Sequence, residues 1–520
     1  MSGFPPQTSS GYRKRIAIIG GGITGLAAAF RVHELDPTVE IKVFESRNRP
    51  GGVLGTQITD GFEIEQSADN FITTVPWGLS LCERLGLKEE LVTTTPQHRQ
   101  TFIVWKRKLC KLPDGFMMMA PTRWFPMVVT SLLSPLGKLR AALELFIPRR
   151  KSEEDESLEA FAVRRLGREV YERLIEPLVS GIYAADMKKL SLLGTLPRFR
   201  EMEKKYRSLI WAMQVQKWQM RKHRSESGPR YSMFVTVRGG LQKIITRICE
   251  ELPAGAVHTS CPVQKISPIY DFCEKTSKKE SSEVESAENL ACGDNALDLK
   301  SEEKGVSRWK VSFVEEGQQR SEIFDGLILA TESHSAAKLL ESISDSPRDL
   351  CELARYLGEI EHTGTAVMTV AYKREQVAHA LDGMGAVVPG VEKNPILAIS
   401  FSNEKYPHRA PEGYTLLRVF AGGARNPEMA EKTDEEITSI LLPELQRILG
   451  ITGTPCMISV SKWPRTMPQI HLGHLERIEK IQEILAHYPT LCIAGNEFSG
   501  VGIPQCIHMG EMAAEKLLKN

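Results

Sequence analysis

The sequence predicts an α/β fold with an α+β region attached, on three observations. Arg15–Ile19 is a short, apolar, β-branched run that passes through Gly20-Gly21-Gly22-Ile23-Thr24-Gly25 into a helical pattern. A second strand, Glu40–Phe44, ends in Glu45, and three later runs (367–372, 397–401 and 416–421) read as strands of a separate sheet. A doubly buried strand, a tight glycine turn and a helix make up the Rossmann-like nucleotide unit.

Within that unit Gly20 permits the sharp turn, Gly22 lets backbone N–H groups approach a pyrophosphate, and Gly25 lets the helix pack closely on the strand. The helix start, with Ile23 and Thr24 in its first turn, faces the phosphates with its positive end. Glu45, about 20 residues after Gly25, is placed to accept from a ribose hydroxyl and to repel a 2′-phosphate, which argues against NADP. Ser46 follows it in the same loop. Arg49-Pro50-Gly51-Gly52 comes directly after and resembles the second glycine pair of the FAD-dependent amine oxidase and porphyrinogen oxidase superfamily. That resemblance implies FAD.

At 520 residues the chain is too long for one core and suggests two or three domains, and 42% hydrophobic with 25% charged residues is ordinary for a globular protein. A net charge of +1 provides no overall field for nucleic acid. The ten cysteines form no CxxC pair and read as the reduced thiols of a cytoplasmic protein. Residues 1–14 form a polar tail without the apolar core of a secretory signal, and no run of about 18 apolar residues predicts a spanning helix. Peripheral membrane attachment stays open. His471 and His474 lack carboxylate or cysteine partners at ligand spacing, so no metal site is expected.

Further along, 61–71 alternates and then turns polar at Ser67, Ala68, Asp69 and Asn70, as a strand or an Asx-type turn would. The stretch 102–112 alternates. For 125–148, with Lys138 and Arg140 on one side, a core helix pair is preferred over a surface dipping into a membrane interface, because Pro135 and Gly137 interrupt its apolar face. The charge run 151–156 reads as a linker, with Asp155 or Ser157 capping the next helix.

The stretch 156–191 carries EPLVSGIYAADMKKLS, which is similar to the porphyrinogen oxidase pattern EPLxxGxYxxDxxxLS, and the chain is identified as a member of that group, of its bacterial soluble type. The resemblance covers nearly the whole chain. It implies a Rossmann-like FAD-binding domain (15–90, 232–330 and 455–520), a helical substrate-entrance domain (91–231) and a mixed-sheet substrate domain (331–454). It also places Ser67 to Asn70 against the flavin, Val263 at the adenine, and Gly181 over the macrocycle, although Gly181 also reads as a helix C-cap. The group has glycine where Ala185 stands.

The composition of 272–307 cannot repay ordering, and it reads as a disordered insertion in a hairpin. The stretches 383–389 and 422–427 read as loops. Gly495 ends a strand-to-loop passage, and Val501, Gly502 and Ile503 open a helix with Pro504 in its first turn. The N–H groups there suit an electron-rich flavin edge. Trp463 matches a position against the flavin, or is a core tryptophan.

The implied reaction is oxidation of a porphyrinogen by molecular oxygen, giving hydrogen peroxide, with non-covalent FAD carrying the chemistry and no catalytic side chain required. Thr101, with Arg99 nearby, stands where mitochondrial-type members place a propionate-binding arginine. Together with the distributed cations Lys106, Lys108, Lys111 and Arg123, this favours coproporphyrinogen III over protoporphyrinogen IX. The implied partners are the porphyrinogen, oxygen, and either a membrane surface or a ferrochelatase receiving the product. A flavin amine oxidase is a rival reading, although Phe498 alone does not make that group's aromatic pair. A flavin-bound scaffold without turnover is another.

Overall fold

The computed structural model describes residues 12–97, 100–223, 233–270, 306–344 and 347–519. Five parallel strands form one sheet in the order Val257–His258, Glu40–Phe44, Arg15–Ile19, Gly326–Leu329 and Leu491–Ile493. Because side chains alternate along a strand, Ile16 and Ile18 pack on one face with helices Ile23–Leu35, Gln242–Glu251 and Ile503–Lys519. Ala17 and Ile19 pack on the other with helices Ser333–Glu341, Arg348–Gly358 and His474–Leu485. A meander of Val263–Tyr270, Val306–Glu315 and Gln318–Phe324 completes that second face. Two-sided burial explains why 16–19, Gly326–Leu329 and Leu491–Ile493 read as unbroken apolar runs, whereas Glu40–Phe44 carries an exposed Glu40 and a half-buried Lys42.

A seven-stranded sheet lies beside this layer, in the order Met457–Pro468, His362–Lys373, Tyr414–Gly422, Ile396–Phe401, Gly385–Val387, Thr101–Trp105 and Lys108–Lys111. Three of its strands come from outside the stretch 331–454 expected to form it: the hairpin at 101–111, from the expected helical domain 91–231, and Met457–Pro468, from the expected FAD-binding segment 455–520. Residues 383–389 were expected as a loop, but Gly385–Val387 is a strand parallel to Thr101–Trp105. Its shortness hides it from periodicity. The helix Asp434–Leu449 covers the sheet, closed by a reciprocal Thr433–Glu436 cap and by Gly450 in the left-handed region.

The third region is helical. Ser157 Oγ accepts from Ala160 N–H at 3.2 Å and starts Leu158–Leu166, while Asp155 Oδ1 accepts from Leu193 N–H at 3.1 Å. A π-helical turn, Tyr171–Ile175, leads into Glu176–Tyr183, where Pro177 lacks the N–H that a regular turn would use.

The core expectation for 125–148 is corrected. The segment breaks into helices Phe125–Val129 and Pro135–Ala142 and a 3-10 turn Leu143–Phe146, each burying one side only. Met127, Leu132, Leu133 and Ala141 point inward, whereas Phe125, Leu136 and Phe146 are 75%, 78% and 71% exposed, with Val128, Val129 and Leu139 exposed beside them. Arg140 turns back to the carbonyls of Val163, Arg164 and Arg165 at the end of Leu158–Leu166. Of the expected insertion 272–307, residues 272–305 lie outside the described residues, while Val306 and Ser307 begin a strand.

Candidate active site

A cleft of about 860 Å³ opens at the carboxyl ends of the parallel strands, roofed by the seven-stranded sheet and by the helix carrying Gly181. Gly20 adopts φ +111°, and a Cβ there would fall 2.3 Å from the Ala330 carbonyl oxygen. A Cβ on Gly25 would fall 2.0 Å from the Gly20 carbonyl oxygen, which fixes how closely helix Ile23–Leu35 meets its strand. A Cβ on Gly22 would meet nothing within 4 Å, so its backbone faces open cleft. Gly22 also provides no side-chain cap for the helix, leaving first-turn donors available for an anion. Gly51 N–H donates to the Gly21 carbonyl at 2.7 Å and clamps the two glycine pairs together.

Glu45 is buried. Its Oε2 accepts from Gly21 N–H at 2.9 Å and its Oε1 from Arg47 N–H at 2.8 Å, so both oxygens are aimed by backbone and keep lone pairs for a sugar hydroxyl.

The loop carrying Ser67, Ala68, Asp69 and Asn70 lines the cleft and is tied from the opposite sheet by Trp463 and Arg418 and from the 3-10 turn Pro407–Arg409. Trp463 Nε1–H donates to the Gln66 carbonyl at 2.9 Å, Arg418 donates to the Ser67 carbonyl, and Arg409 donates to the Asp69 carbonyl at 2.7 Å. Burial alone would raise the Asp69 carboxyl, but Lys405, Arg418 and Arg409 more than reverse this and hold it well below the usual carboxylate range.

Ile23, Thr24, Ser46, Gly52, Val263, Gly495, Val501, Gly502 and Ile503 also line this cleft, so the dinucleotide set expected from sequence converges on one space. Gly21 and Gly25 shape it from behind. Gly181 lines it too, inside helix Glu176–Tyr183, and the left-handed cap of that helix is Ala184 at φ +49°. The turn before Asp186 is therefore made at Ala184, whose carbonyl accepts from Ala424 N–H at 2.7 Å.

The propionate-side residues do not gather here. Arg99 lies outside the described residues, and Thr101 pairs with Gly385 without lining the cleft. Lys111 pairs with Asp382 and Arg123 with Asp114 on the surface, and neither Lys106 nor Lys108 reaches the cleft. Its basic residues among those described are Arg47, Lys338 and Arg418. Sequence reasoning missed Arg418 and Glu497, because a lone charge in an apolar strand or in a strand-to-loop passage carries no spacing signal. His474, unpaired in the sequence reading, directs Nε2 at the Glu497 carbonyl oxygen at 2.8 Å.

A glycine-clamped helix start, an aimed carboxylate and a broad slot between two sheets define a dinucleotide-binding protein of the two-layer type. The chain belongs to the flavin-containing amine oxidoreductase family, which matches residues 23–292 and 297–518. It is 33% identical to a coproporphyrinogen III oxidase of Bacillus subtilis, over 97% of this chain and 98% of that one. It is 32% identical to the Staphylococcus aureus protein of the same name, over 97% and 99%. A structure from Exiguobacterium sp. 255-15, solved as a candidate protoporphyrinogen oxidase, superposes with a TM-score of 0.78 at 28% identity, over 98% of this chain and 100% of that one.

Proposed function

We propose that this flavoprotein binds FAD without a covalent bond and oxidises coproporphyrinogen III to coproporphyrin III, with oxygen as acceptor and hydrogen peroxide as by-product. The observation that carries this reading is one cleft that combines the glycine clamp with a wide apolar slot, in a chain alignable end to end with coproporphyrinogen III oxidases. When bound, the flavin supplies the hydride acceptor and the route for electrons to oxygen.

The chain's own residues bind and orient. Gly20 to Thr24, Glu45, Gly51 and Gly52 would hold the dinucleotide, and the tied 67–70 loop, Trp463 and residues 501–503 would fix the ring. The apolar slot of Ile182, Val367, Leu397, Phe420 and Met467 would take the macrocycle, with Gly181 leaving room above it. Cys506 is buried in helix Ile503–Lys519 and burial pushes its thiol up to about 12, which supports non-covalent attachment. The organisation favoured is a discontinuous FAD-binding domain, a helical entrance region and a sheet domain, with the 101–111 hairpin and Met457–Pro468 assigned to the sheet.

A cytoplasmic protein with peripheral membrane contact fits the apolar residues exposed at Phe125 to Phe146; no helix of the described residues is long and apolar enough to cross a membrane. Handover of product to an iron-inserting enzyme is the other use of that face. The test of function is an aerobic assay of the yellow protein with coproporphyrinogen III, read as porphyrin fluorescence and peroxide. A flavin-loaded protein inert to every porphyrinogen would contradict the proposal.

A further inference from the structure

Glu497 is 1% exposed and forms part of the cleft wall. Its carboxyl lies against Gly495, where a Cβ would fall 2.3 Å from Oε2. Neither carboxyl oxygen completes a hydrogen bond, although the amides of Glu497 itself and of Ser333 lie near enough to favour the charged form. The titratable groups facing it are Glu332, before helix Ser333–Glu341, and Cys506 from helix Ile503–Lys519. From helix His474–Leu485, the His474 ring meets its backbone carbonyl, with His362 and His334 behind. No cation pairs with the carboxyl among the described residues. Cys506 in turn sits beside Thr24, and Gly510 of the same helix approaches the Thr24 carbonyl so closely that a Cβ would stand 2.1 Å away. The acid therefore belongs to the end of the cleft where the glycine turn starts its helix.

An isolated buried carboxylate is too costly to persist. Burial pushes Glu497 up to about 8, and the neutral form offers one O–H to donate and a carbonyl oxygen to accept.

We propose that Glu497 is a neutral-acid ligand of the bound dinucleotide, donating its O–H to a hydroxyl or phosphate oxygen of the sugar–pyrophosphate stretch between Gly22, Thr24 and Gly495, so that the cofactor binds together with a proton on this side chain. The inference rests on the FAD reading above. It assigns a ligand role that the glycine motifs do not contain, and it makes cofactor affinity depend on pH. Ionisation of the empty site would put a charge beside the pyrophosphate, whose own charge it opposes.

The test is FAD titration of the flavin-stripped full-length protein by fluorescence quenching from about pH 6 to about pH 9, for wild type and Glu497→Gln. The wild-type dissociation constant should be flat to about pH 7 and rise about tenfold by about pH 9, with calorimetry in two buffers showing about one proton taken up at the upper end. Glu497→Gln, which keeps a donor and cannot ionise, should hold its low-pH affinity throughout. A flat wild-type profile without proton uptake, or an equal rise in Glu497→Gln, overturns the inference and leaves the FAD reading intact. Failure of the wild type to bind FAD at any pH overturns both. Should Glu497→Gln not fold, the wild-type proton uptake decides alone.

Discussion

Asp69 Oδ2 lies 2.9 Å from Lys405 Nζ, linking a loop that lines the cleft to the short helix Ser402–Lys405 that follows strand Ile396–Phe401 of the roofing sheet. Arg409 and Arg418 stand 3.5 Å and 3.4 Å from the same oxygen. One carboxylate thus answers three buried cations, aided by Glu63 and Glu65 on Arg409.

Asp69→Asn removes that carboxylate's charge and should cost about 3–5 kcal/mol, because the cations stay buried. Thermal unfolding measures the loss, and flavin content should fall with it since the loop is released. The native carboxyl is held below its unfolded value, so its stabilisation is present above about pH 4 and disappears as pH falls through the native value. Wild-type melting temperature should therefore hold down to about pH 4 and then drop, and the variant should lack that part of the drop.

Gly181→Ala should move stability and activity in opposite directions. A Cβ there meets only Val387 Cγ1, at 3.7 Å, and alanine in a helix interior is about 0.8–1 kcal/mol better than glycine. The melting temperature should rise slightly while kcat/KM falls at least about tenfold, because the methyl enters the proposed macrocycle space. Unchanged kinetics would remove Gly181 from the substrate site.

The triple variant Phe125→Ser, Leu136→Ser, Phe146→Ser should lose co-sedimentation with vesicles of phosphatidylcholine and phosphatidylglycerol. These side chains are already in water, so each change should alter stability by less than about 0.5 kcal/mol. Equal vesicle recovery for wild type and variant would rule out this face as the contact.

Tyr270 and Val306 face each other across paired strands, so deletion of Glu274 to Lys304 leaves ends a short turn can join. Flavin content and melting temperature should stay at wild-type values. Loss of folding would show that the segment carries structure.

Much of this was legible because the apolar runs are buried on both faces and punctuated by glycine. Arg15–Ile19 and Glu40–Phe44 are strands at the bounds read from sequence, and the Gly20 to Gly25 turn has the sterics its spacing implies. What was hidden depends on contacts distant in the chain. The Asp69 cluster joins residues 336 to 349 positions apart, Gly385–Val387 is too short to show a period, and the polarity of Glu497 gave no sign of burial. The exposure of Phe125 and Leu136 was misjudged because an apolar segment with breaks resembles a core pair until its neighbours are known.

The substrate assignment is tested most directly by comparing kcat/KM for coproporphyrinogen III and protoporphyrinogen IX on the same flavin-loaded preparation. The account predicts a clear preference for coproporphyrinogen III, by about tenfold or more, with peroxide formed in step with porphyrin. A clear preference for protoporphyrinogen IX would contradict it.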